Sequence, residues 1–346
     1  MTLTQPGAIA ALRFAEGKLY ALDQTGLPWR EEELELASAA AVTQAIRRLA
    51  IRGAPLIGVA AGYGVALELL REAGGDRRQT LERACTLLRD ARPTAVNLAR
   101  AVDRVRGAAL DAPPGRAATA ALEEARAIEA EEEAASSAIA TRGAELLGGA
   151  RRILTHCNTG ALAAPGRGTA FAVLSELASA GGLEDVLVCE TRPLLQGARL
   201  TVLEMARAQI PHRLVTDAAA PGLIASGRVD AVIVGCDRVA ANGDVANKVG
   251  TYPLALAARE ASIPFVVAGP SSSIDPACPS GAAIEIEERG ADEVRNAAGQ
   301  PLTLAETDCL NPAFDVTPAS LVSALVTERR IVTPVDRQSL AALLEE

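Results

Sequence analysis

Short apolar runs separated by stretches of helical periodicity dominate the second half of the chain. Ile153-Leu-Thr155, Val186-Leu-Val-Cys189, Leu214-Val-Thr216, Val232-Ile-Val234 and Phe265-Val-Val267 are too short for core helices. They are apolar at successive positions and rich in β-branched residues, the pattern of strands buried on both faces. Helical stretches beginning near Thr169, Ala198, Pro221 and Asn247 separate them. This alternation predicts right-handed βαβ units in a doubly wound parallel sheet with helices on both faces. Ligands of such sheets gather beyond the carboxyl ends of the strands. Polar clusters fall there in this chain: His156-Cys-Asn-Thr-Gly160, Glu190-Thr-Arg192, and a crowded run from Cys236 to Lys248.

The first half reads differently. A β-like opening, Ala8 to Tyr20, precedes helical patterns at Glu31 to Arg48, Leu56 to Glu72, Leu81 to Arg89 and Val96 to Ala109. Asp111-Ala-Pro-Pro-Gly115 is the strongest linker signal, and a long acidic helix, Ala118 to Leu147, follows with Glu131, Glu132 and Glu133 on a solvated face. At 346 residues the chain exceeds the usual size of a single core. Two domains are therefore expected, residues 1–116 and residues 117–346. Near the C-terminus, Ala283-Ile-Glu-Ile-Glu287 reads as a strand and Ala319 to Glu328 as a helix capped by Thr317.

Composition narrows the function. Hydrophobic residues make up 49% of the chain but aromatics only 2%, so the core is aliphatic and platforms for stacking bases are scarce. With 34 basic and 43 acidic residues the formal charge is −9, which repels polyanions and argues against nucleic acid as a partner. Six cysteines lie far apart without a C-x-x-C, and there are only two histidines, so zinc-type spacing is missing and no metal is expected. Reduced thiols fit a cytoplasmic setting. The start, Met1-Thr-Leu-Thr-Gln-Pro6, lacks the pattern of a leader, and no uninterrupted run of eighteen apolar residues occurs, so no membrane association is expected.

The chain uses lysine only twice and places Lys248 near the expected start of a helix, where a cation is unfavourable unless an anion sits there too. Arg52-Gly-Ala-Pro55 sets a guanidinium beside another helix start, and Arg92-Pro-Thr-Ala-Val-Asn97 repeats the device. With Asn247-Lys248 these make a phosphate clamp, although each arginine taken singly also reads as one surface charge among 32. Asp237 and Cys157, both at strand ends, are the candidates for proton transfer. The alternatives are an Asp that caps the loop or pairs with Arg238, and a Cys that is a small core hydrophobe. Cys189 and Cys236 read as core, and Asp244 is the next acid in line. Five of the six asparagines (Asn97, Asn158, Asn242, Asn247, Asn311) lie in compact polar motifs, where turn chemistry is the competing explanation.

Taken together the motifs form a recognisable series. Arg52-Gly-Ala-Pro-Leu-Ile-Gly58, Arg92-Pro-Thr-Ala-Val-Asn-Leu98, Thr155-His-Cys-Asn-Thr-Gly160, Glu190-Thr-Arg-Pro-Leu-Leu-Gln-Gly-Ala-Arg-Leu-Thr201, residues 235–252 and Asn311-Pro-Ala-Phe-Asp-Val-Thr-Pro318 keep their order and register. From Leu22 to Ile331 the chain resembles the 5-methylthioribose-1-phosphate isomerases of methionine salvage. That superfamily is shared with ribose-1,5-bisphosphate isomerases and the regulatory subunits of the initiation-factor nucleotide-exchange factor.

The resemblance implies a Rossmann-like C-terminal catalytic domain, a smaller, mostly helical N-terminal domain, a homodimer, and conversion of an aldose 1-phosphate to a ketose 1-phosphate without cofactor or metal. It implies Asp237 and Cys157 as catalytic residues, and Arg52, Gly53, Ala54, Arg92, Gln196, Asn247 and Lys248 as the substrate-binding set. On this reading Asp237, held partly protonated by an apolar crevice, donates to the ring oxygen, and Cys157 assists proton transfer between C1 and C2 or stabilises the enediol-like species; a hydride shift is the alternative route. The sequence departs from the family pattern at Cys236, in Ser271-Ser-Ser273 and at Pro253, none of which removes a catalytic group.

Overall fold

The computed structural model describes residues 9–72, 76–92 and 95–345. Its contacts group them into two units, one of residues 9–134 with 161–168, the other of residues 135–160 with 169 onward.

The first unit opens with an antiparallel sheet of β1 (Leu12–Ala15), β2 (Lys18–Leu22) and β3 (Glu33–Leu36). The expected β opening is found from Leu12, while Ala8 lies outside the described residues. Residues 31–48, expected to be helical throughout, instead give β3 and the shorter α1 (Ala39–Arg47). Glu33-Leu-Glu-Leu36 has the two-residue alternation of a half-buried strand. Ser38 then sets the helix start, its hydroxyl accepting the Ala41 N–H at 3.2 Å.

Three further helices, α2 (Ala54–Arg71), α3 (Arg77–Arg89) and α4 (Val96–Asp111), and the start of α5 (Ala117–Leu147) complete this unit. Leu56, Val59, Ala60, Tyr63, Val65 and Leu67 bury every face of α2, the mark of a central helix. By length and composition α2 passes for a membrane span, with mean hydropathy 1.3, yet 83% of it is buried inside the protein, as in a core helix. The expected linker at Asp111–Gly115 is the turn between α4 and α5 within one unit. Ala121 and Ala125 after it are as buried as Val102 and Val105 before it, and the division between units falls inside α5, after residue 134 rather than at 116. A Pro-Gly turn breaks a helix without separating what packs around it.

In the second unit β4 (Arg152–Thr155), α6 (Ala170–Ser179), β5 (Asp185–Cys189), α7 (Val202–Arg207), β6 (His212–Val215), α8 (Ala220–Ala225) and β7 (Ala231–Val234) alternate as expected. The polar run then forms a hairpin, β8 (Arg238–Ala240) and β9 (Val245–Lys248), before α9 (Thr251–Glu260) and β10 (Phe265–Ala268). The helix expected from Asn247 thus starts at Thr251, because Asn242-Gly243 turns the chain back on itself, with Gly243 at φ 91°. Short pieces follow: β11 (Ile274–Asp275), α10 (Asp292–Arg295), β12 (Asn296–Ala297), β13 (Gln300–Pro301), β14 (Phe314–Thr317), β15 (Ala324–Val326), β16 (Ile331–Val332) and α11 (Arg337–Glu345).

The main sheet has the order β16-β15-β10-β7-β4-β5-β6, all parallel except the β15–β16 pair. Numbered along the chain, its six parallel strands read 3-2-1-4-5-6 from the β6 side, the order of a doubly wound sheet. Alternate residues feed two cores. Val232 and Val234 join Leu254, Ala255 and Ala258 of α9 on one face. Ala231 and Ile233 join Phe171, Val173, Leu174 and Leu177 of α6 on the other. A second sheet, β11-β8-β9-β14, holds the hairpin.

Two expectations near the C-terminus fail. Residues 319–328 are not a helix but a 3-10 turn, Ala319–Leu321, followed by β15, the sixth parallel strand. Thr317 ends β14, and the Ala319 N–H is taken by Asp244 at 2.9 Å. Residues 283–287 have strand-like alternation but, among the described residues, no strand beside them; an isolated bridge joins Glu288 to Pro312.

A packing test follows from Gly143 of α5, where an added Cβ would lie 2.3 Å from Cγ2 of Val173, a fully buried residue of α6. Gly143→Ala is expected to destabilise the fold by about 1–3 kcal/mol despite alanine's better helix propensity, because overpacking outweighs it. A urea midpoint equal to or above wild type would refute this reading.

Candidate active site

The strand order reverses between β4 and β7, which pair in register with Thr155 opposite Ile233. Beyond β4 the chain leaves for α6 on one face, and beyond β7 it reaches α9 on the other. Loops that part in this way open a crevice. Cys157 follows the end of β4 by two residues, and Asp237 follows the end of β7 by three. The two proton-transfer candidates thus flank the reversal.

Cys157 is buried and holds the left-handed conformation, φ 65°. Its N–H donates to Thr191 Oγ1 at 2.9 Å, and its carbonyl accepts from Thr201 Oγ1 at 2.6 Å. Asn158 Nδ2 donates to the same Thr201 oxygen at 3.2 Å and to Glu204 Oε2, both buried. His156 is fully enclosed, and burial pushes its pKa below the ordinary value against the opposing pull of Asp217 and the Val249 carbonyl. The neutral ring donates from Nε2 to that carbonyl at 2.9 Å, leaving Nδ1 toward Thr191. Gly250 completes this close approach: an added Cβ there would sit 3.0 Å from the imidazole.

Asp237 is partly exposed at the mouth of the β8–β9 hairpin, its N–H donating to Ala246 O at 3.0 Å. The neighbouring Arg238 is directed at Asp275, Nε to Oδ2 3.5 Å. Asp244 is a structural acid: Oδ1 accepts the Ala319 N–H, and Oδ2 accepts Gly281 N–H at 2.9 Å and Asn242 Nδ2 at 2.8 Å. Burial raises its pKa, but these donors outweigh burial and hold it below the ordinary range.

Asn247 and Lys248 are buried on β9, not at a helix start. Lys248 Nζ donates to Ala313 O at 2.6 Å and lies 4.5 Å from the Phe314 ring centroid, so its position is set by a carbonyl and a π face. Asn247 Nδ2 donates to Thr251 Oγ1 at 3.0 Å, in the first turn of α9. Gln196 is buried, and its Oε1 has no hydrogen-bond partner among the described residues.

Arg52, Gly53 and Ala54 belong to the other unit, as does Arg92. Gly53, at φ 98°, precedes α2, and a Cβ there would lie 2.3 Å from Ala163 O, so the position admits only glycine. Arg92 precedes α4, whose N-cap is Ala95; Pro93 and Thr94 lie outside the described residues. His156, Cys189 and Asp217 bring three possible metal donors within 4.8 Å of one another. Both Asp217 oxygens are already taken by the Thr191 and Arg192 N–H groups at 2.8 and 2.7 Å, and burial pushes the Cys189 thiol far up. The trio reads as a hydrogen-bonded core.

Sequence reasoning missed Asp315, which accepts the Gly250 N–H at 2.7 Å and the Tyr252 N–H at 3.1 Å at the start of α9. Its signal was a carboxylate inside the Asn311–Pro318 motif. Thr191, Thr201 and Glu204 were passed over because buried hydroxyls and carboxylates leave no trace in periodicity.

A doubly wound α/β unit with a carboxylate and a thiol at its strand-order reversal, and buried amide and ammonium groups beside them, has the layout of a small-molecule enzyme. Residues 50–334 match the model of the initiation factor 2 subunit family. A methylthioribose-1-phosphate isomerase of Anaeromyxobacter sp. (strain K) is 50% identical over 343 residues, 99% of either chain. One of Albidiferax ferrireducens is 48% identical over 345 residues, covering 98% of this chain and 97% of the relative. Among solved structures, the 5-methylthioribose 1-phosphate isomerase of Pyrococcus horikoshii OT3 superposes with TM-score 0.90 at 36% identity, covering 100% and 99% of the two chains. A structure titled translation initiation factor eIF-2B, subunit delta, from A. fulgidus gives 0.85 at 34%, covering 98% and 100%. The chain belongs to the initiation factor 2 subunit family and, within it, to the methylthioribose-1-phosphate isomerases.

The Asp315 carboxyl is pushed up from 3.8 to about 6 by burial, against the pull of the Tyr252, Gly250 and Thr251 N–H groups and Lys248. Since its folded pKa exceeds the unfolded one, its contribution to stability is fully present below the unfolded value and is lost as pH rises through about 6. The stability of wild type relative to Asp315→Asn, followed by urea unfolding, is expected to fall between pH 4 and pH 7. A difference independent of pH would show that the carboxyl is not raised.

Proposed function

We propose that the protein converts 5-methylthioribose 1-phosphate to 5-methylthioribulose 1-phosphate in methionine salvage, as an intramolecular aldose–ketose isomerase. Identity of 50% to a named isomerase over 99% of both chains supports the substrate. The observation that carries the chemistry is the placement of Cys157 and Asp237 on either side of the β4–β7 reversal. In this reading the second unit is a Rossmann-like catalytic domain, and the helical unit is a smaller domain that contributes to substrate binding.

A sugar phosphorylated on its anomeric oxygen cannot open as a free hemiacetal does, so opening needs an acid. Asp237 gives a proton to the ring oxygen as the C1–O bond breaks, and C1 becomes an oxocarbenium-type centre still carrying the phosphate. Removal of the C2 proton, assisted by Cys157, gives an enol phosphate. The C2 hydroxyl then loses its proton as C1 gains one, leaving a ketone at C2 and a CH2–O–phosphate at C1. Lys248, Asn247 and Gln196 bind the substrate, Lys248 through the phosphate charge. Gln196 Oε1 is a buried acceptor suited to a sugar hydroxyl. Substrate-binding roles for Arg52, Gly53, Ala54 and Arg92 rest on the motif match alone. We further propose a cytoplasmic homodimer working without cofactor.

The competing readings are isomerisation of 5-deoxyribose 1-phosphate or ribose 1,5-bisphosphate, and a non-catalytic regulatory subunit. A coupled assay on the three sugar phosphates decides among them, and the highest kcat/KM is expected for the methylthio substrate. Asp237→Asn keeps the shape but cannot deliver a proton, so turnover should fall by roughly 10²–10⁴-fold while calorimetric titration still detects binding. Retention of more than about a tenth of wild-type kcat would remove Asp237 from the acid role. Light scattering is expected to give about twice the 35.6 kDa chain mass. A fully active monomer would overturn the dimer.

A further inference from the structure

Cys157 carries a Cβ in the left-handed region, φ 65°, where non-glycine residues persist only when their surroundings over-determine them. What fixes it here is a pair of buried hydroxyls on one peptide segment. Thr191 Oγ1 donates to Cys189 O at 3.1 Å, which turns its lone pairs to the Cys157 N–H. Thr201 Oγ1 receives Asn158 Nδ2, which commits its proton to the Cys157 carbonyl. Each hydroxyl therefore has both a donor and an acceptor role filled, and His156 Nδ1, at 3.5 Å, is a second and longer acceptor for the Thr191 proton.

The two threonines are themselves held from outside. Thr191, also left-handed at φ 65°, is anchored through its N–H to Asp217, whose second oxygen takes the next N–H, that of Arg192. Thr201 ends a π-helical turn, Gly197–Thr201, of the widened kind that recurs at functional sites. Gly197 lets that turn seat, since a Cβ there would lie 1.7 Å from Cys189 O. Thr191 and Thr201 are both essentially inaccessible to solvent, at 0% and 1% exposure.

We infer that Thr191 and Thr201 are positioning residues for isomerisation, clamping both backbone polar groups of Cys157 so that its thiol is held at the strand-order reversal. The inference rests on the reading of Cys157 as a reacting group. Small displacements of such a group are costly in rate while leaving substrate affinity largely intact.

The test compares Thr191→Val and Thr201→Val, which remove the hydroxyl at constant shape, with Thr191→Ser and Thr201→Ser, which restore it. The valine variants are expected to lose about tenfold to a hundredfold in kcat, with KM within about threefold of wild type. The serine variants should stay within about threefold of wild-type kcat. Iodoacetamide labelling of Cys157 in the folded enzyme, followed by peptide mass, should change at least about threefold in the valine variants only, as the thiol shifts. Wild-type kcat in both valine variants, or an equal loss in the serine variants, overturns the clamp. Where a valine variant does not fold, the alanine variant is judged by the same criteria. Cys157→Ala separates the two ideas. If it keeps turnover, the catalytic reading of Cys157 fails and labelling alone judges the clamp. If it is inactive while the valine variants are not, only the clamp fails.

Discussion

Neighbouring parallel strands β4 and β7 end at the same level, and their chains depart to opposite faces of the sheet. Everything at the site follows from that divergence. Loops that leave in opposite directions give each other few backbone partners, so buried polar groups there are satisfied from elsewhere. The turn after β5 brings one such partner, Thr191, to the Cys157 N–H, and the segment after β9 brings another, the Val249 carbonyl, to His156. The same geometry explains why the loop after β4 is packed from several sides: by Val249 and Gly250 at His156, by Thr191 at Cys157, and by Thr201 and Glu204 at Asn158.

The buried framework was legible in the sequence because burial on both faces of a parallel sheet imposes continuous apolar runs, which their shortness separates from a core helix such as α2. Four of the six parallel strands are buried where those runs are, while β6 overlaps only Leu214 and Val215 of its run and is a half-exposed edge strand. The sixth, β15, was lost because Ala324-Leu-Val326 is short and joined to Leu321-Val322, so the pattern reads as a helix; only its place between β10 and β16 makes it a strand. Residues 283–287 show the reverse error, strand alternation with no partner strand. In both places a non-local pairing decides, and a local pattern cannot carry that information.

The site was legible to a different depth. Cys157 and Asp237 are candidates from their places after apolar strands, and the structure sets them in the loops that follow two adjacent strands of one sheet. Lys248 stands out in the sequence by its rarity, but not for the reason its neighbours suggest. It is placed by a strand, a carbonyl and the Phe314 ring, not by a helix dipole. The hairpin that does this is signalled by Asn242-Gly243, a turn pair hidden among residues that all looked like chemistry.

That crowding has its own physical reason. Strand ends and helix starts leave backbone N–H groups without regular partners, and a short carboxylate is the cheapest acceptor for them. Asp217 takes two N–H groups of the β5 turn, Asp244 takes those of Gly281 and Ala319, and Asp315 takes those at the start of α9. None can serve as a proton donor to substrate without abandoning the loop that it holds. Sequence assigns these three and Asp237 to one class, acidic residues in polar loops. An acid whose oxygens are bound to backbone amides is part of the wall. The Gln196 Oε1, buried and unpartnered, is the opposite case. Such an atom costs the fold free energy, and unlike the carboxylate oxygens it fixes no backbone amide.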